Sequence, residues 1–132
     1  MQNATISIVD DNQSVRSALS RLLKLHGYVP YAFASAEEFL RSDQLSESAC
    51  LIADVRMPGM SGVELLEHLV GQDRHIPVIF ITAFPEEGSR SRAMASGAVC
   101  FLQKPFDTQV LIDSIDAALS RSGTGSAANG AD

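Results

Sequence analysis

Apolar and polar residues fall in short blocks along this chain, and their spacing switches repeatedly between strand-like and helix-like. Thr5-Ile-Ser-Ile-Val9 alternates, turns apolar and runs into Asp10-Asp11-Asn12. A helical pattern follows, with Val15, Ala18, Leu19, Leu22 and Leu25 predicted on one face. His26-Gly27 closes it, because glycine tolerates the left-handed conformation at a helix end. Tyr28 to Phe33 reads as a second, short strand, and Pro30 within it predicts an edge position, since proline cannot donate to a ladder. Ser35-Ala-Glu-Glu38 has capping-box spacing and opens a short helix through Leu40.

Cys50-Leu-Ile-Ala53 is continuously apolar, as a parallel strand buried on both faces requires. It ends in Asp54, and the loop Val55-Arg-Met-Pro-Gly-Met60 follows. Ser61-Gly-Val-Glu64 is a second capping box, opening a helix with Val63, Leu66 and Val70 predicted inward. Pro77 to Ile81 is the fourth strand and delivers Thr82. A weakly apolar helix is predicted from about Glu86 to Ser96, stopping at Gly97. Val99-Cys-Phe-Leu102 is the fifth strand and leads to Lys104-Pro105. The last helix begins near Asp107, with Val110, Leu111, Ile115 and Leu119 predicted buried. From 122 to 132 nothing larger than alanine offers itself for burial, so this stretch reads as a flexible linker or tail behind a domain spanning 1–121.

Five strands alternating with five helices predict an α/β domain with an open, doubly wound parallel sheet. Right-handed crossovers and an edge position for the second strand predict the order 2-1-3-4-5. Cys50 and Cys100 then lie on strands separated by a third, about 9–10 Å apart, too far for a disulfide.

Composition narrows the class. At 132 residues with 45% apolar content, one domain can bury a core without a disulfide or structural metal. Ten basic against sixteen acidic residues give a net charge of −6, which argues against a surface built for nucleic-acid or anionic-membrane contact. No apolar run approaches the roughly 20 residues of a spanning helix, and Met1-Gln-Asn-Ala is unlike a signal peptide. His26, His68 and His75 lack metal-ligand spacing. The expectation is a soluble, reduced, cytoplasmic domain.

In open α/β sheets, sites form where strand order reverses, at the carboxyl ends of the strands. The predicted order brings Asp10 and Asp11, Asp54, Thr82 and Lys104 to one such crevice. Each has a plainer reading: an N-cap cluster, a loop aspartate before a Pro-Gly turn, a strand-end threonine, a solvated lysine. Their joint placement at four strand ends favours a shared site. Clustered carboxylates repel one another unless a cation joins them, and an all-oxygen set suits Mg²⁺. Lysine and hydroxyl could then neutralise phosphoryl oxygens, making an aspartate a competent phosphoryl acceptor.

Val9-Asp-Asp11, the run from Asp54 to Gly62, Ile81-Thr-Ala83 and Phe101-Leu-Gln-Lys-Pro105 together resemble the receiver domain of two-component response regulators. The resemblance covers residues 4 to about 121. The stretch around Asp54 and the run from Phe101 to Phe106 look most like the FixJ-like, LuxR/NarL-type branch, whose receivers usually precede a helix-turn-helix output domain. It implies a flavodoxin/CheY-like fold. Asp54 would be the phosphoacceptor, with Mg²⁺ held by Asp10, Asp11, Asp54 and the backbone carbonyl of Arg56. Lys104 would pair with the phosphoryl group, across a bond to Pro105 that is often cis in the family. Thr82 and Phe101 would be the switch hydroxyl and switch aromatic. The resemblance also implies a phosphohistidine donor on a sensor histidine kinase and a homodimer formed on phosphorylation. The changing surface would be the fourth predicted helix, the fifth strand and the fifth helix, with DNA contacted only through an output domain. Arg56 and Phe84 sit where the family tunes acyl-phosphate lifetime: Arg56 either screens attacking water or points outward, and Phe84 is either core or partner surface.

The competing reading is an aspartate-based, Mg²⁺-dependent phosphohydrolase of the haloacid-dehalogenase type. Those enzymes carry Asp-x-Asp after the first strand, whereas this chain has Asp-Asp-Asn there and offers no room for a cap domain. A flavin-binding flavodoxin is disfavoured by acidic residues in place of a phosphate loop. A structural pseudo-receiver leaves the acidic set unexplained, while a stand-alone receiver acting through protein binding shares every feature of the site.

Overall fold

A computed structural model describes residues 4–83 and 87–124 of the chain. The strands are β1 (Thr5–Val9), β2 (Val29–Phe33), β3 (Cys50–Asp54), β4 (Val78–Thr82) and β5 (Cys100–Gln103). The helices are α1 (Gln13–Leu25), α2 (Ala36–Leu40), α3 (Gln44–Glu47), α4 (Gly62–Gly71), α5 (Glu87–Ala95) and α6 (Thr108–Thr124). The strands form one parallel sheet in the order β2-β1-β3-β4-β5, with Pro30 on the edge strand as its missing N–H demands. The order reverses between β1 and β3, so the exits of those two strands flank a switch point.

Successive strand residues point to opposite faces, and both faces are covered. One core joins Val9, Leu51, Ala53 and Phe80 to Phe39 of α2, Leu65, Leu66 and Leu69 of α4 and Ala93 of α5. The other joins Ile8, Ile52, Ile79 and Ile81 to Leu19 and Leu23 of α1 and Leu111, Ile112 and Ile115 of α6. Each fully buried Val, Leu, Ile or Phe side chain among these contributes roughly 1.5–3 kcal/mol. β3 and β4 are buried along their whole lengths, which makes their carboxyl ends a rigid platform.

Some local expectations need correction. Among the described residues six helices are present rather than five, because the one-turn α3 follows α2. A single turn is too short to show hydrophobic periodicity; α3 is held instead by Ser48, whose hydroxyl donates to the Gln44 carbonyl at 2.7 Å. Leu25 was expected inward but is 76% exposed, and Leu23 is buried in its place. The two lie about 200° apart on the helix wheel, so only one can face the sheet. Ala18 is exposed as well. Val110 is exposed while Ile112 is buried, for the same reason. Val70 lines an open groove beside Gly97 and Val99, and Leu65 and Leu69 carry the α4 core face. Ser35 caps α2 through the Glu38 N–H, yet Glu38 reaches Ala34 rather than Ser35, so only half of that box forms. At Ser61 and Glu64 both halves are present.

Cys50 and Cys100 are free thiols, and burial pushes Cys50 up to about 12. Among the described residues no helix is long and apolar enough to cross a membrane. α6 runs past Ser122 into the stretch expected to be a linker, of which 125–132 lie outside the described residues. Phe84 and Glu86 lie outside them too.

Candidate functional site

Asp10, immediately after β1, is fully buried. Its N–H donates to the Phe33 carbonyl, and one carboxylate oxygen accepts the Asn12 N–H at 2.9 Å. Asn12 is the residue that caps α1, its side-chain oxygen accepting the N–H groups of Ser14 and Val15. The capping role therefore falls to Asn12, and the Asp10 carboxylate is left facing the crevice. The Arg16 guanidinium reinforces this turn by donating to the Asp10 carbonyl at 2.8 Å.

Asp54 closes β3 and is 8% exposed. One of its carboxylate oxygens accepts the Arg56 N–H at 3.3 Å, which turns the chain sharply out of the strand. The loop returns at Gly62, whose N–H donates to the Val55 carbonyl at 3.0 Å. Thr82, at the end of β4, is buried, and its carbonyl accepts the Lys104 N–H at 2.7 Å. That bond fixes the chain leaving β5, where the Lys104–Pro105 peptide is cis. The lysine ammonium comes to rest 3.2 Å from an Asp10 oxygen and 3.6 Å from an Asp54 oxygen.

Asp10, Asp11 and Asp54 each present an oxygen, and these oxygens lie within 4.8 Å of one another. The crevice above them is lined by Asp11, Asn12, Asp54, Met57, Ala83 and Lys104. Burial raises the Asp54 carboxyl above the ordinary aspartate range, and the neighbouring Asp10 charge adds to this. Lys104 and the Arg56 N–H oppose the rise without cancelling it. One ammonium among three carboxylates leaves the crevice short of positive charge. The donors are all hard oxygens, which is the chemistry of a divalent cation such as Mg²⁺ or Ca²⁺ and unlike a zinc or copper site.

Phe101 lies on β5 opposite Phe80, ring centroids 6.2 Å apart, with the Arg90 guanidinium 5.8 Å from its ring centre. Because Phe80 precedes Thr82 by two residues, Thr82 and Phe101 share the sheet face covered by α4 and α5. Arg56 is exposed at the crevice mouth. Phe84 lies outside the described residues. Sequence reasoning missed Arg16 and Glu37. Glu37 reaches from α2 to accept the Met60 N–H at 3.0 Å, twenty-three positions away, a separation that no local pattern announces.

The fold and the crevice together define a doubly wound α/β domain with an acidic, lysine-bridged site at its switch point. Residues 6–116 match the response regulator receiver domain family, and the chain belongs to it as a receiver of the FixJ-like kind. Nodulation protein W of Bradyrhizobium diazoefficiens is 42% identical over 118 residues, 89% of this chain and 52% of that protein. Transcriptional regulatory protein FixJ of Rhizobium meliloti is 40% identical over 118 residues, 89% of this chain and 58% of that protein. The chain thus spans little more than half the length of these curated relatives. The crystal structure of FixJ-N superposes with a TM-score of 0.81 at 39% identity, covering 91% of this chain and 96% of that one. Response regulator StyR gives a TM-score of 0.86 at 40% identity, covering 94% and 63%.

Proposed function

We propose that the domain is a phosphorylation switch in which Asp54 takes a phosphoryl group from a phosphohistidine of a sensor histidine kinase. The observation that carries this reading is the gathering of the Asp10, Asp11 and Asp54 oxygens within 4.8 Å, with Lys104 bridging two of them. Mg²⁺ would be held by Asp10, Asp11, Asp54 and the Arg56 carbonyl, and when bound it supplies the positive charge that lets a carboxylate and a phosphoryl group approach. One Asp54 oxygen bonds to phosphorus as the phosphorus–nitrogen bond breaks, and the electron pair returns to the imidazole. Lys104 exchanges a carboxylate contact for a phosphoryl oxygen, which its flexible stem allows.

The new group adds about −1 of charge at Asp54. Thr82 donates its hydroxyl toward that charge, and Phe101, on the same sheet face, moves into the space released. The surface formed by α5, β5 and α6 changes with it. Switching nearly all molecules requires roughly 5 kcal/mol of differential stabilisation. The surface change favours a homodimer and, in a longer protein, activates a DNA-binding transcriptional output domain. The receiver itself spans 1–121, acts in the cytoplasm, contacts neither DNA nor membrane and serves as a switch rather than an enzyme of turnover.

Incubation with Mg²⁺ and acetyl phosphate tests the reading by mass spectrometry. One phosphoryl mass should be added, and Asp54→Asn should abolish it. An unmodified wild-type chain overturns the assignment. Sustained multiple turnover of small phosphate esters would favour a phosphohydrolase instead.

A further inference from the structure

The loop between Asp54 and α4 carries the Arg56 carbonyl, so its course decides where that oxygen lies. Its base is tied at both ends: Val55 donates to the Ile81 carbonyl at 3.2 Å, and Gly62 donates to the Val55 carbonyl at 3.0 Å. Near its far end the chain turns at Gly59, with φ +78. There a carboxylate from another element meets it. The Met60 N–H donates to Glu37 of α2 at 3.0 Å, and a Cβ added at Gly59 would lie 2.8 Å from the same Glu37 oxygen. The turn of the loop therefore lies directly against the tip of the Glu37 side chain, while the positive φ is what favours glycine at 59. The N–H groups of Glu37 itself and of Met60 hold this carboxyl below its ordinary range, so the charged form is the acceptor.

We propose that Glu37 is a positioning residue for the cation site: by anchoring Met60 it sets the course of the 55–61 loop and thereby the Arg56 carbonyl. The proposal rests on the reading that Asp10, Asp11, Asp54 and that carbonyl hold Mg²⁺. Glu37 touches neither the metal nor the phosphoryl group; it acts through the loop, as outer groups do when they orient the atoms that bind a metal.

Calorimetric titration of the 132-residue chain with Mg²⁺ tests it. Glu37→Ala should weaken Mg²⁺ binding by about tenfold. Glu37→Asp keeps the charge but withdraws the oxygen by one methylene, and should weaken binding similarly. Glu37→Gln retains an oxygen acceptor and should restore most of the affinity. Glu38→Ala, at a neighbour whose carboxylate accepts the Ala34 N–H instead, should leave it unchanged. Melting curves in EDTA report the fold separately, so a loss of affinity without a loss of melting temperature marks positioning. Wild-type binding with unchanged affinity in both Glu37→Ala and Glu37→Asp overturns this proposal alone. No Mg²⁺ binding by the wild-type chain overturns the reading of the site and the proposal with it.

Discussion

The carbonyl oxygen of Asp54 leaves no room for a side chain at Gly62: a Cβ added there would lie 2.3 Å from that oxygen and 2.9 Å from the Phe80 ring. The start of α4 is thus pressed against the end of β3, and neither neighbour is a flexible side-chain tip. Gly62→Ala should destabilise the domain by about 1–3 kcal/mol in urea unfolding, because backbone or core must shift. Gly71, at the other end of the same helix, has nothing within 4 Å of an added Cβ. Gly71→Ala should be stabilising by about 0.5–1 kcal/mol.

Asp54 supplies a pH signature. Burial and Asp10 raise its folded-state carboxyl above the unfolded value. The fold therefore prefers the protonated form, and that contribution is complete below the unfolded value of about 3.9 and is lost as pH rises through the folded value. Asp54→Asn should melt above wild type at pH 7, and the gap should close as pH falls below about 4. Mg²⁺ at tenfold over its dissociation constant should return about 1.4 kcal/mol to the wild type and little to the variant. Thermal melts across pH, with and without Mg²⁺, check both.

Leu23 and Leu25 differ in side-chain direction alone, one buried and one exposed on the same helix. Leu23→Ala should cost about 2–5 kcal/mol, since it opens a cavity beneath α1. Leu25→Ala should stay within about 0.5 kcal/mol of wild type. Denaturant midpoints at equal slope give the comparison.

Glu67 of α4 accepts two hydrogen bonds from Arg92 of α5, at 2.6 and 2.5 Å. Among the described side chains of α5 only Ala93 is buried, and this exposed ion pair is one of the ties that hold the helix to α4. Glu67→Gln should speed amide exchange within α5 while leaving exchange in β3 and β4 unchanged. High salt should produce the same selective effect in the wild type. Hydrogen exchange read by mass spectrometry resolves the two regions.

The alternation of elements, the edge position that Pro30 imposes and the acidic, hydroxyl and ammonium groups at the strand ends were all legible in the chain. They rest on local chemistry: which residues alternate, which lack an N–H, which charges follow an apolar run. Helix faces were legible only to within a rotation. Leu25, Val70 and Val110 are as apolar as their buried neighbours, and the sheet beneath, rather than the helix itself, selects the inward side.

By itself the sequence determined the strand order, the doubly wound class and which residues reach the switch point, because parallel crossovers of fixed hand leave few alternatives. Tertiary structure alone decided that Asn12 rather than Asp10 caps α1, that Lys104 bridges Asp10 and Asp54, and that Glu37 grips the loop at Met60. Each of those outcomes depends on distances between atoms that are remote in sequence or that compete for the same partner. Spacing along a chain cannot encode such distances until packing has brought the elements together.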